Sequence, residues 1–132
     1  MPDLNCIVVT PERTVLEKPA DFVALSLYDG EIGIAPGHTP LVGRLGAGEM
    51  RILSAGRTER YYVEGGFVEV LDNVVSVLTQ RAIPAAELDR EAAREHLDQA
   101  RARPGTTPEE FAVRDRLVEQ SRAQLRVAGR AG

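Results

Sequence analysis

The sequence predicts a mainly β fold with α: an N-terminal β-sandwich over residues 1–84, then an antiparallel two-helix hairpin over 85–132. Three observations lead there. Short β-branched runs punctuated by turn residues fill the chain as far as about residue 83. At Pro84 the composition switches to Ala, Glu and Arg, the strong helix formers. Within that helical half, Pro104-Gly105 stops one helix and Thr107-Pro108 restarts another.

The strands come first. CIVV opens the pattern at residues 6–9, and in 22–27 Phe22, Ala24 and Ser26 alternate with Val23, Leu25 and Leu27. YYV (61–63), FVEVL (67–71) and VVSVL (74–78) follow, rich in residues that fit a pleated surface. Turn signals fall at Asp29-Gly30, Pro36-Gly37, the Gly46–Gly48 stretch, Ala55-Gly56, Gly65-Gly66 and Asp72-Asn73. Many short strands at such spacing predict a sandwich or barrel rather than alternating strands and helices. Pro36 and Pro40 keep their loop out of any ladder.

The first helix is expected over AAELDREAAREHLDQARAR (85–103), with Leu88, Ala92, Leu97 and Ala100 near one face, flanked by Ala93 and His96. Thr107 is placed to cap the second, with Pro108 at its first position and Glu110 completing a capping box. That helix should run to about Val127 with Phe111, Leu117, Val118 and Leu125 as its apolar residues. Joined by a short Pro/Gly turn, the two must lie antiparallel. Their thin apolar stripe makes them marginal alone, so they should pack on the sandwich or on a partner.

Charge separates the halves. Residues 1–84 carry 7 basic and 11 acidic groups, whereas 85–132 carry 9 of each, every base there an Arg. Planar guanidinium forks fit the helical half for reversible docking on an acidic surface. A solvated helix pair with local ion pairs is the plainer alternative.

A net charge of -4 and a pI near 5.2 argue against a nucleic-acid partner. No apolar run approaches the roughly 20 residues that span a bilayer, and the N-terminus MPDLNCIVV has no basic region of a secretory signal. Cys6, the single cysteine, lies in an apolar run and reads as a buried structural thiol. With only Cys6, His38 and His96 as soft ligands, far apart in sequence, a metal centre is not expected, nor is any cofactor.

EIGIAPGHTP (31–40) sets His38 among glycines and prolines, the look of a catalytic loop. Yet His38 has no cysteine close by, and Ser26, Ser54 and Ser76 lack a nucleophile-elbow context. There is no phosphate loop of the GxxxxGK type, and the carboxylates are dispersed. His38 therefore reads as a turn residue bonded to nearby backbone or as a surface contact, and the chain as a noncatalytic interaction protein.

GEIGIAPGHTPLVGRLGAGEMRI (30–52) resembles the signature stretch of the epsilon subunit of F-type ATP synthases, bacterial or chloroplast type. YVEGGFVEVLDNVVSVLTQRAI (62–83) resembles that family's second hallmark, and CIVVTPER (6–13) its first strand. LDREAA (88–93) and AQLRV (123–127) resemble the two helices of its C-terminal hairpin. The likeness runs in order through nearly the whole chain.

This resemblance implies a noncatalytic central-stalk subunit coupling ion translocation through a membrane ring to ATP synthesis. Its implied partners are the gamma subunit, the ion-carrying ring subunits and, transiently, the alpha and beta catalytic subunits. The implied location is peripheral, on the cytoplasmic face of the bacterial inner membrane or the stromal face of a thylakoid. Glu31, His38, Thr39, Leu41 and Val42 become ring-contact candidates. Arg114, Arg116, Arg122 and Arg126 become candidates for contact with the catalytic subunits in an extended, inhibitory hairpin. An alternative is an ATP-sensing switch: some relatives bind ATP through an [IL]-D-x-x-R-A motif and arginines of the second helix. Leu88, Asp89, Arg122 and Arg126 would be the corresponding residues, although Ala92 stands where the motif has arginine. A freestanding sugar- or peptide-binding sandwich is a third reading, disfavoured by the absence of Trp and by the ordered motifs.

Overall fold

The structure is a computed structural model that describes residues 3–129. Ten strands form two five-stranded sheets. The first sheet holds β1 (Leu4–Val9), β2 (Thr14–Ala20), β5 (Leu41–Arg44), β8 (Phe67–Leu71) and β9 (Val74–Leu78), in the order β2-β1-β9-β8-β5. The second holds β3 (Phe22–Leu27), β4 (Gly30–Ile34), β6 (Ala47–Ser54), β7 (Arg57–Glu64) and β10 (Ala82–Pro84), in the order β10-β7-β6-β3-β4. Pairing is antiparallel except where β1 lies parallel to β9, with Asn5 opposite Val74.

The alternation expected from sequence decides which side chains meet between the sheets. Cys6, Val8, Val68, Val70, Val75 and Val77 from the first sheet pack against Val23, Leu25, Ile34, Met50, Ile52 and Val63 from the second. Nearly all are fully buried. Branched aliphatic residues lose little rotamer freedom on a pleated surface, which suits them to this core. Burial pushes the Cys6 thiol from its ordinary 9.0 up to about 12, so it stays a protonated core group.

Two turns show why the chain folds back where it does. Asp72 and Asn73 both adopt positive φ, 49° and 63°, the backbone of a tight hairpin between β8 and β9. Gly66 has φ +98°, and a Cβ there would come within 1.8 Å of the Leu78 carbonyl oxygen, so only glycine fits. The Gly46–Gly48 stretch departs from the expected turn: β6 begins at Ala47, and only Gly46 serves as the joint.

The helices depart from expectation at their boundaries. α1 spans Arg90–Ala102 instead of 85–103. Ala85–Glu87 form a 3-10 turn, Leu88 is extended, and the Asp89 carboxylate caps α1 by accepting from the Ala92 N–H at 3.1 Å. α2 spans Pro108–Gly129. Thr107 caps it through the Glu110 N–H at 3.1 Å, but Glu110 reaches back to the Thr106 N–H rather than that of Thr107. α1 and α2 pack together, and α2 lies on β6 and β7.

The buried face of α2 is also not the expected one. Ser121, Ala123, Val127 and Ala128 are buried, whereas Phe111 is 44% exposed. Ala123 and Val127 meet Tyr62 of β7 in a second apolar cluster, joined by Ala47, Ile83, Ala85 and Leu88. A helix seated closely on a sheet selects small side chains, so the larger Leu117, Val118 and Leu125 end only half-buried. On α1 the buried trio is Ala93, Leu97 and Ala100; Ala92 is half-buried and His96 exposed.

Candidate functional site

Three surfaces carry the chemistry-bearing residues. The first is the loop between β4 and β5. Pro36 and Gly37 form a tight turn closed by the His38 N–H on the Ala35 carbonyl at 3.1 Å, with Gly37 at φ +81°. The Gly37 N–H donates to Asn73 Oδ1 at 2.7 Å, so the β8–β9 turn braces this loop. The His38 ring Nδ1 donates to the Thr39 carbonyl at 2.7 Å, which leaves Nε2 as the ring's other polar atom.

The second surface is the outer face of the first sheet. Residues opposite one another across strands share a face, and the register reads Arg44–Phe67–Leu78–Val9 in one row. The next row reads Val42–Glu69–Ser76–Ile7. Val42 is 71% exposed, Phe67 56% and Leu78 53%. Several large apolar side chains side by side on one bare sheet face are the mark of an interaction surface. At its rim Arg44 stacks over the Tyr28 ring, 4.9 Å from its centroid.

The third surface is where the hairpin meets the second sheet. Arg51 and Arg60 lie directly opposite each other on β6 and β7, a repulsive pair by itself. The carboxylate of Glu49, only 7% exposed, sits between them. Its Oε1 accepts from Arg51 at 3.0 Å, and its Oε2 from Arg60 Nε at 2.7 Å. Arg51 also donates to Glu31 at 2.7 Å, and these two carboxylates hold its pKa above the ordinary value. Arg60 extends further, donating to the Val127 carbonyl in the last turn of α2 at 3.0 Å.

Beside this contact a groove of about 590 Å³ runs between hairpin and sheet, lined among others by Glu64, Arg81, His96, Arg103, Gln120 and Gln124. On its sheet side the Tyr62 hydroxyl donates to Glu64 at 2.7 Å. Burial, followed by that carboxylate, raises the Tyr62 pKa.

The residues singled out from sequence divide among these surfaces. His38 and Thr39 sit on the braced loop, and Leu41 and Val42 open β5 just after it. Glu31 stands apart on β4, tied to Arg51 on the helix side of the second sheet. Arg122 and Arg126 line a shallow depression on α2 with Asp115, Val118 and Glu119. Leu88 and Asp89 have structural tasks instead, packing by Tyr62 and capping α1. Arg114 donates to the Arg101 carbonyl at the end of α1 at 3.0 Å, and Arg116 faces the loops around Gly46 and Gly65. Sequence reading missed Glu49 and Arg60, and took Asn73 as a turn residue without its brace on Gly37. Their only signal was local: an acid inside an apolar strand, and an Asn in a turn.

Among the described residues no group of three or more His, Cys, Asp or Glu is placed to hold a metal ion. No described helix is long and apolar enough to cross a membrane.

Comparison with known proteins agrees with this fold. The family model described as the ATP synthase delta/epsilon chain β-sandwich domain matches residues 3–85. The ATP synthase epsilon chain of Rhodopirellula baltica is 48% identical over 125 residues, covering 95% of this chain and 98% of its own. That of Myxococcus xanthus is 34% identical over 134 residues, covering 99% and 98%. In the solved Euglena gracilis mitochondrial ATP synthase, one chain superposes with a TM-score of 0.85 at 24% identity, over 97% of this chain and 82% of that one, a likeness of fold.

Proposed function

Because the chain belongs to the ATP synthase delta/epsilon family, as an epsilon chain, we propose that it is a noncatalytic rotor subunit that ties the gamma subunit to the ion-carrying membrane ring. The observation that carries this reading is the inequality of the two sheets. The second sheet is covered by the protein's own α2, while the first presents Phe67, Leu78 and Val42 uncovered. An apolar patch with Arg44 at its rim and Glu69 set among its apolar residues fits a permanent protein partner, which we assign to gamma.

The braced loop is the ring-facing element in this reading. His38 and Thr39 supply polar contacts, with Leu41 and Val42 beside them. A loop held by Asn73 loses little conformational entropy on docking. Glu31 would take part after exchanging its Arg51 partner for a ring cation. The hairpin is the regulatory arm: once released, Arg114, Arg116, Arg122 and Arg126 would meet acidic loops of the catalytic subunits and slow hydrolysis. The complex would lie peripherally on the cytoplasmic face of the inner membrane.

The ATP-sensing alternative has less support. Asp89 is engaged as a helix cap, and Arg122 and Arg126 line a different depression from the large groove.

Co-expression with the gamma subunit tests the assignment. Phe67→Lys with Leu78→Glu should leave the chain folded, since both side chains already face water and the two opposed charges attract across the strands, and should abolish co-purification. Retained co-purification would move the gamma surface elsewhere.

A further inference from the structure

We infer that Arg60 is the positioning residue that holds the hairpin down, with Glu49 aiming it. This deepens the regulatory-arm reading by naming what sets the arm's resting position.

The last carbonyls of a helix lack partners within it and carry the negative end of its dipole. In α2 one of them, the Val127 oxygen, accepts from an Arg60 guanidinium that belongs to the sandwich. The donor comes from across the domain junction, so that bond exists only while α2 rests on β7. The guanidinium is not free to wander. Its Nε and Nη2 both meet Glu49 Oε2, at 2.7 and 2.5 Å. Glu49 is anchored in turn by Arg51 through its other oxygen.

The chain of contacts therefore runs Arg51, Glu49, Arg60, Val127, three sandwich side chains ending on one helix carbonyl. Its members are shielded: the Arg60 side chain is 17% exposed and that of Glu49 6%. A charge-assisted bond in such a place is stronger than its surface counterpart. The apolar part of the same contact is smaller than the core between the sheets: Tyr62 meets Ala123 and Val127, with Ala47, Ile83, Ala85 and Leu88 around them. Gln124 of α2 adds a neutral hydrogen bond to the Tyr62 hydroxyl, and the Arg60 bond is the charge-assisted contact beside it, the stronger kind.

Hydrogen exchange on the full-length isolated chain tests this, comparing peptides from 108–129 with peptides from 47–64. Arg60→Met should speed exchange in α2 by about tenfold to a hundredfold, the range expected for losing a hydrogen bond to a charged group, while strands β6 and β7 keep their protection. A second variant guards against a general failure to fold. Glu49→Gln combined with Arg60→Met removes the carboxylate that Arg60 neutralises, leaving a neutral amide for Arg51, so the sheet keeps its pairing. It should release α2 to the same extent.

Wild-type protection of α2 in this double variant overturns the proposal. Equal loss of protection in α2 and in the strands also overturns it, because Arg60 would then be holding the sheet rather than the helix. Hydrolysis by the reconstituted catalytic complex is read separately. Release of α2 without any change in hydrolysis leaves the Arg60 contact standing and removes the inhibitory role.

Discussion

The sandwich and the hairpin are held by different physics. The sandwich buries a continuous layer of Val, Ile, Leu and Met, most of it with no exposed area, between two fully paired sheets. The hairpin rests on that body through a smaller cluster, Tyr62 against Ala123 and Val127 with Ala47, Ile83, Ala85 and Leu88 around them, and through polar contacts such as Arg60 on the Val127 carbonyl. Apolar burial spread over many side chains fails only when the whole domain unfolds. A contact resting on a few groups can open by itself. The proposed function, a rotor subunit with a movable arm, would need both kinds in one chain: a body that does not deform under load, and an attachment that can let go.

The sharpest way to test that contrast is to damage the body. Ile52→Ala deletes a fully buried side chain between the sheets and should cost about 2–5 kcal/mol. Chemical denaturation should show the loss in the main unfolding transition. An unchanged midpoint would mean that the core is not the rigid partner.

Alkaline titration probes the same body by another route. The Cys6 thiol ionises ordinarily at 9.0 and in the fold at about 12, because burial disfavours the thiolate. Below 9.0 both folded and unfolded chains keep the proton, and stability is at its full value. Above it the unfolded chain ionises first, so stability falls until about pH 12. Tyr61, raised from 10.0 to about 12 by burial and by Glu59, adds to the upper part of that window. Denaturation midpoints at successive pH values should therefore decline through this range. A Cys6→Val variant should flatten the first part of the decline.

A smaller effect should fall on the hairpin alone. Ala123→Leu forces extra volume against Tyr62, where Ala123 is fully buried, at a cost of about 1–3 kcal/mol. Hydrogen exchange should show α2 loosened and the strands unaffected. Loosening of both together would erase the distinction between the regions.

The sandwich was legible in the sequence because its signals are local and repeated. The alternation of Phe67–Leu71 and Val74–Leu78 and the glycines at turns say which side faces in, whatever lies opposite. The hairpin's existence was equally plain from its composition and from Thr107-Pro108. Its docking face was not. Periodicity points to the largest apolar residues, Phe111 and Leu125, but a helix pressed close to a sheet buries Ala123 and Val127 instead. The same limit hid Glu49 and Arg60, whose roles depend on a helix carbonyl 67 residues beyond Arg60 in the chain. Leu88 and Asp89 show the converse. They resemble a ligand motif, and in the fold one packs while the other caps.

The parallel pairing of β1 with β9 also bears on how the protein is made. β1 is an inner strand of its sheet, yet only β2 is available to it early in synthesis. Its other edge stays open until β9 leaves the ribosome, since Asn5 to Val9 pair with Val74 to Leu78. Pairings this distant in sequence close slowly, and an open apolar edge invites association with other nascent chains. β1, made well before β9, is thus among the last strands to be enclosed, which makes the interval between its emergence and that of β9 the period when a growing chain is most exposed to such association.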